Sequence, residues 1–285
     1  MAKKMAKKIV NVASVPMRSP FRYPGGKTWL VPRIRQWLGS KKVPPAEFIE
    51  PFAGGGIVSL TVAFEQLADR VTMVELDEQV AAVWQTILSE DGSWLADRIA
   101  NFDLSPESVE LALSQTGLEI REKAFQTILK NRINRGGILA PGAGRIKNGE
   151  NGKGLKSRWY PETLKKRILE IAAIRDRIQF VAGDGMEVLL QYATRGDVAF
   201  FIDPPYSAGG KKAGRRLYSY WELDHEQLFA IAHSLQGDFL MSYDNTEEIR
   251  YLAEQYGFNL QAVAMKNTHH AQLTELLISR VSWQN

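Results

Sequence analysis

Short continuous apolar runs alternate with helically spaced apolar stripes along this chain, and that alternation predicts an α/β order. Glu47 to Glu50 (EFIE) predicts a short strand running into Pro51 and a glycine cluster, and Ile57 to Leu67 a helix. Val71 to Glu75 (VTMVE) predicts a second strand and Asp77 to Leu88 a second helix. A β-α-β-α sequence of this kind implies a parallel sheet with crossover helices. Helical spacing continues over residues 92–100, 105–115 and 118–133. It stops at residues 134–157 (NRGGILAPGAGRIKNGENGKGLKS), a Gly-, Asn- and Lys/Arg-rich stretch that predicts a long loop, functional or mobile. Pro161 to Arg177 predicts a helix with proline in its first turn. Val198 to Ile202 (VAFFI) is almost wholly apolar, as a central parallel strand should be. A helix at 224–235 and strands at Phe239 to Tyr243, Leu260 to Ala264 and Leu273 to Ser279 complete the scheme. It is one α/β domain split by an insertion at about residues 90–160.

Composition narrows the chemistry. With 285 residues the chain can bury a core without a disulfide or zinc staple, and it contains no cysteine. That excludes a disulfide framework, Cys-ligated zinc, an iron–sulfur cluster and a thiolate nucleophile. The four histidines show no metal-ligand spacing, and the adjacent His269 and His270 would diverge in a strand, so no metal is expected. No apolar run approaches the roughly 20 residues that span a bilayer. Residues 1–20 make a poor secretory signal and are expected to form a basic disordered tail, with a cytoplasmic location as the default.

The net charge of +4 is segregated. Residues 1–46 hold eleven Lys/Arg and no acid, and residues 121–158 hold ten Lys/Arg against Glu122 and Glu150. The rest of the chain is therefore acidic. Two basic blocks on an acidic body suggest a polyanionic partner met by particular surfaces. Solvated basic loops would give the same pattern.

Two motifs carry candidate chemistry. The first is Phe48-Ile-Glu-Pro-Phe-Ala-Gly-Gly-Gly-Ile-Val-Ser-Leu60, a strand, a glycine turn and a helix start, with Glu75 ending the next strand. Glycine lets a ligand approach the backbone, the helix start offers unsatisfied N–H groups, and an acid at that place takes ribose hydroxyls. Ser59 stands where a dinucleotide fingerprint has its last glycine, so S-adenosylmethionine is favoured over NAD, with a plain structural turn still open. A phosphate-binding P-loop is absent, since no Gly-Lys-Ser/Thr follows.

The second motif is Asp203-Pro204-Pro205-Tyr206, directly after the apolar strand. A carboxylate at the carboxyl end of a central strand lies where open α/β sheets bind ligands. The prolines remove two N–H donors and leave carbonyl acceptors, and Tyr206 adds a flat aromatic face. Two acceptors and a stacking platform suit the exocyclic amine of a nucleobase. Hydrogen bonds from that amine to Asp203 and the Pro204 carbonyl would return its lone pair to nitrogen for in-line attack on a methyl group.

With these motifs on the page, the sequence resembles the Dam-like (D12 class) site-specific DNA adenine-N6 methyltransferases, from about Phe21 to Arg280. FRYPGGK at 21–27 is similar to the family's N-terminal cofactor motif, with Tyr23 where an aromatic is usual. FIEPFAGGG at 48–56 resembles its glycine motif, VELD at 74–77 its ribose-binding segment, and FVAGDGMEVL at 180–189 the segment before the catalytic strand. Asn131-Arg132 and Gly137-Ile138 are similar to its Asn-Arg and Asn-Gly-Leu cluster. The resemblance implies a Rossmann-like S-adenosylmethionine-dependent methyltransferase fold, a mostly parallel sheet with flanking helices. Residues 21–90 and 161–285 would form the catalytic domain, and 91–160 an inserted, mainly helical and loop target-recognition domain. It implies S-adenosyl-L-methionine as cofactor, S-adenosyl-L-homocysteine as product and no metal. Tyr23, Gly25, Gly26, Lys27, Pro51, Phe52, Ala53, Gly54, Gly56, Glu75, Asp184 and Asp203 would bind the cofactor, and Asp203, Pro204, Pro205 and Tyr206 would catalyse transfer. Lys27, after two glycines, could approach the cofactor's carboxylate.

Double-stranded DNA is the implied partner, with the target adenine swung out of the stack. Lys130, Arg132, Arg135, Arg145, Lys147, Lys153, Lys156 and Arg158 of the insertion, and Lys211 and Lys212 after DPPY, are the candidate DNA contacts. Trp159 or Tyr160 is a candidate wedge, and Tyr218 and Tyr220 candidates for the base pocket. The resemblance further implies a monomer in solution, with a dimer on DNA and a cognate restriction endonuclease as open options, in a bacterial cell or phage-infected host. The Pro141 to Ser157 stretch departs from the GATC-reading members, which leaves the target sequence open. Competing readings are N4-cytosine or RNA N6-adenine methylation, a DNA-binding protein with an inactive core, and a nicotinamide oxidoreductase.

Overall fold

The computed structural model describes residues 15–23, 25–149, 152–205, 223–266 and 272–281. A 3-10 turn at Thr28–Leu30 leads into α1 (Val31–Gly39), with Pro32 in its first turn, where its missing N–H costs no hydrogen bond. Then follow β1 (Glu47–Glu50), α2 (Ile57–Glu65), β2 (Arg70–Glu75) and α3 (Glu78–Ile87). Three further helices, α4 (Gly92–Ala100), α5 (Pro106–Ser114) and α6 (Ile120–Ile133), come before the basic stretch. After it lie α7 (Pro161–Ala172), β3 (Ile178–Ala182), α8 (Gly185–Gln191) and β4 (Val198–Ile202). The chain ends with α9 (His225–Ser234), β5 (Asp238–Asp244), α10 (Glu247–Gln255), β6 (Asn259–Lys266) and β7 (Gln272–Ser279).

The seven strands form one sheet in the order β3-β2-β1-β4-β5-β7-β6. Every pairing from β3 to β5 is parallel, and β7 runs antiparallel to both β5 and β6. This is a mostly parallel, Rossmann-like sheet with one reversed strand. The strand order reverses between β1 and β4, the switch point where such sheets open a crevice at their carboxyl ends. β4 is central and buried along its whole length, which is why VAFFI is apolar throughout.

Period-two alternation divides the core. Phe48, Ala199 and Phe201 face one layer with α1, α2, α3, α4, α6 and α7, while Ile49, Val198, Phe200 and Ile202 face the other with α8, α9 and α10. Each fully buried Phe or Leu on these faces contributes about 1.5–3 kcal/mol.

The stretch expected as a separate insertion is helical, but its apolar residues do not form a core of their own. Phe125, Ile128, Leu129 and Ile133 of α6 share one cluster with Val83 and Trp84 of α3 and with Ile168 of α7. α6 is buried nearly all round, including Gln126, Thr127, Asn131 and Arg132. The loop expected over 134–157 also has structure: 3-10 turns at Arg135–Gly137 and Gly154–Arg158, and an antiparallel bridge between Asn134 and Arg145.

The tail boundary moves as well. Residues 1–14 lie outside the described residues, but Val15 and Ser19 are buried, and Ser19 donates its hydroxyl to the Gly55 carbonyl. The segment expected as tail up to residue 20 thus packs on the glycine turn by its last residues. Elements without an expectation of their own include β3, α8 and α10. Among the described residues no helix is long and apolar enough to cross a membrane.

Candidate active site

Asp203 leaves the carboxyl end of β4 and meets two donors. Lys27 Nζ lies 3.0 Å from its Oδ1, and Ser242 Oγ of β5 donates to the same oxygen at 2.6 Å. Oδ2 carries no hydrogen bond among the described residues. Lys27 is 4 % exposed, donates to the Gly25 carbonyl at 3.1 Å, and has Glu275 Oε2 of β7 at 3.8 Å. An ammonium placed this way fixes Asp203 in one orientation and leaves its second oxygen for a ligand. Lys27, expected to approach a cofactor carboxylate, lies against carboxylates of its own chain while lining the cleft.

The glycine turn stands opposite. Gly54 and Gly56 take positive φ (48° and 63°), and a Cβ on Gly54 would sit 2.6 Å from the Tyr23 ring. Tyr23 is thereby the aromatic lid of the turn. Glu75 Oε2 accepts the Gly54 N–H at 2.9 Å and Oε1 the Asp77 N–H at 2.8 Å, which ties the ends of β1 and β2 together. Burial pushes the Glu75 carboxyl up to about 7 against those two donations. Asp184 caps α8 by accepting the Met186 N–H at 2.8 Å.

Sequence reasoning passed over Glu50, although it stands inside the glycine motif. It is 4 % exposed, and its Oε2 accepts both the N–H and the hydroxyl of Ser59. Gly56 has no side chain to cap α2, so this acid from β1 caps the helix instead. Burial pushes its carboxyl up to about 8. The unfolded chain ionises this acid near 4.5, whereas the folded protein holds its proton until about 8, so stability is lost as pH rises between those values. Relative to Glu50→Gln, the wild type should lose roughly 1.4 kcal/mol per pH unit in that window. Urea denaturation at pH 5, 6.5 and 8 checks this, and parallel pH dependences would refute it.

These parts line one cleft of about 960 Å³. Its wall includes Tyr23, Gly25, Gly26, Lys27, Pro51, Phe52, Ala53, Gly54, Gly56, Glu75, Asp184, Asp203, Pro204 and Pro205. All the residues expected to bind cofactor therefore line a single cavity. Tyr206, Lys211, Lys212, Tyr218, Tyr220, His269 and His270 lie outside the described residues. The wall also includes Arg22, Arg132, Arg158, Tyr160 and Arg167, of which Arg22 and Arg167 were not expected.

The basic insertion divides into two sets. Arg135, Lys147, Lys153 and Lys156 are exposed, and Arg158 is half-buried at the cleft. Arg145 is exposed but ion-paired with Glu110 at 3.0 Å. Arg132 corrects its expectation as a surface DNA contact. It is 5 % exposed and donates to the Pro20 carbonyl, and burial together with Arg167 and Arg22 pushes it down to about 9. Its neighbour Asn131 accepts the Arg22 N–H at 2.8 Å and donates to the carbonyls of Arg22 (3.0 Å) and Gly137 (2.7 Å). The Asn-Arg pair thus fastens the N-terminal segment to α6. Gly137 is required there, because its φ is +75° and a Cβ would lie 2.0 Å from the Arg22 carbonyl oxygen. Lys130 is half-buried and donates to Gln79 at 3.2 Å, so it too serves the fold. Trp159, a candidate wedge, packs edge-on against Phe102 with ring centroids 6.0 Å apart, whereas Tyr160 is exposed.

A sheet with its switch point at a glycine turn, an acid ending β2 and an Asp-Pro-Pro ending β4 define a Rossmann-like methyltransferase. The chain matches the model of the D12 class N6 adenine-specific DNA methyltransferases over residues 23–268, and it belongs to that family. No curated protein sequence matches it. Among solved structures it is similar to a methyltransferase from Geobacter sulfurreducens, at 13% identity and a TM-score of 0.41 over 92% of this chain and 81% of that one. It is also similar to an rRNA methyltransferase from Streptomyces viridochromogenes, at 12% identity and a TM-score of 0.38 over 90% of this chain and 86% of that one.

Proposed function

We propose that this methyltransferase transfers the methyl group of S-adenosyl-L-methionine to the exocyclic N6 of adenine in duplex DNA. The observation that carries the reading is Asp203, which lines the cleft with its Oδ1 held by Lys27 and Ser242. An acceptor-only oxygen fixed in this way suits an amine that must donate a proton while its nitrogen attacks. Membership of the adenine-specific family supports the choice of adenine.

The cleft fits the cofactor. Each Glu75 oxygen accepts one backbone N–H and keeps a lone pair for a ribose hydroxyl. The volume of about 960 Å³ is at the upper end for small-ligand sites, with room for a nucleobase beside the cofactor. Bound there, S-adenosyl-L-methionine supplies an electrophilic methyl on a positive sulfur. Tyr23 and the Gly54 backbone would hold it, Glu75 would orient its ribose, and Asp203 with the Pro204 carbonyl would orient the amine. An adenine inside a duplex must be everted to reach Asp203.

Tritiated methyl transfer to duplex DNA, followed by nucleoside analysis, tests this. The expected product is N6-methyladenine. Label found only as N4-methylcytosine, or only in RNA, would overturn the assignment.

A further inference from the structure

Glu275 lies in mid-strand on β7, between Thr274 and Leu276-Leu277-Ile278, and is 3 % exposed. Among the described residues its Oε2 has no hydrogen-bond partner, and Lys27 Nζ lies 3.8 Å away. A well-made buried ion pair would satisfy that oxygen, and a purely structural position would favour an apolar side chain. An acid at this position therefore comes at some cost to the fold. The other buried acids of the cleft differ. Glu50 is satisfied by two donations from Ser59, and each oxygen of Glu75 accepts a backbone N–H.

The charges around Glu275 come from three segments. Lys27 approaches from the segment before α1, Asp203 from the end of β4, and Asp244 from its paired position on β5. On β6 the paired residue is the apolar Val263. Glu50 stands beyond, close enough to feel Lys27 and Asp203. One ammonium thus faces a surplus of carboxyl groups. Burial and the nearby acids push Glu275 up to about 7, so near neutrality the apo site offsets part of the surplus with protons.

The geometry points to Glu275 as a positioning residue for charge, acting through Lys27. It gives up its proton when a cationic ligand enters the cleft, and takes up the proton that the acceptor amine later loses. This rests on the methyl-transfer reading above. As the amine is methylated, its N–H bond breaks and an O–H bond forms on Asp203. Lys27 passes one of its three protons to Glu275 and, as a neutral amine, then takes that proton from Asp203, so Lys27 is an ammonium before and after. Rotation of the lysine stem closes the 3.8 Å gap. The site then holds the same total charge at each stage, a sulfonium at the start and a stored proton at the end.

The test uses the full chain and Glu275→Gln, with Glu275→Asp as the conservative variant, after thermal melts show that both fold. Calorimetry of S-adenosyl-L-methionine binding near pH 7, in two buffers of different ionisation enthalpy, counts released protons. Wild type should release about half a proton more than Glu275→Gln, since a group near its pKa is half protonated. S-adenosyl-L-homocysteine, which lacks the sulfonium charge, should abolish that difference. In single-turnover transfer, with the cationic ligand already bound, the wild-type rate should fall at a pH below the ligand-free value of about 7. Glu275→Gln should lose that inflection and be roughly tenfold slower at pH 8, and Glu275→Asp should restore the inflection. Equal proton release in wild type and Glu275→Gln would overturn the assignment, as would matching pH profiles. If the wild type shows the extra release yet methylates no adenine, the substrate reading fails and the role of Glu275 stands.

Discussion

Asp203→Ala should lower methyl transfer by on the order of 10³-fold while leaving duplex affinity within about twofold. The loss is large because three elements converge on this carboxylate. β4 delivers it, Ser242 of β5 holds it, and Lys27 holds it from the N-terminal segment. An alanine leaves the amine without its acceptor and Lys27 without its nearest carboxylate. Asp203→Asn should fare little better. If its oxygen keeps the Ser242 and Lys27 donations, its NH2 faces the cleft and meets the amine donor to donor. Single-turnover assays with a parallel gel-shift titration check both variants. Turnover within tenfold of wild type would remove Asp203 from the reaction.

The sequence shows Asp203 because the signals around it are local. An apolar run bounded by Asp-Pro-Pro reads as a buried strand and its exit, and three glycines after EFIEPFA read as a strand-to-helix turn. Glu275 is hidden for the opposite reason. LTELLIS reads as an ordinary strand, and only the reversed packing of β7 against β5 places its one acid beside Lys27, far away in sequence. A charged residue in so apolar a strand was the available signal. Arg132 misleads in the same manner. Its basic neighbours suggest a DNA surface, but α6 is buried nearly all round, so the stretch from Ala124 to Ile133 had to pack inside. β3, α8 and α10 were unforeseen as elements. β3 lies at the sheet edge with only Ile178 fully buried, and so it lacks the apolar run that announces β4.

The same division between buried and exposed cations sets the second large effect. Arg135, Lys147, Lys153 and Lys156 are exposed on the loop after α6, with no ion-pair partner among the described residues. If they meet phosphates, each contributes about 0.9 to the slope of log affinity against log salt. Replacing all four with alanine should therefore reduce that slope by about 3 to 4, and weaken duplex binding at physiological salt by on the order of 10²-fold. Methyl transfer at saturating DNA should be preserved, because none of the four lines the cleft. Arg132→Met is the control. It deletes a buried guanidinium whose partner is the Pro20 carbonyl, so it should change the melting temperature and leave the salt slope unchanged. Fluorescence anisotropy titrations from 50 to 300 mM salt separate the two. A fourfold variant with the wild-type slope would show that these cations are solvated bystanders. A shallower slope in Arg132→Met would mean that its guanidinium reaches the phosphates after all.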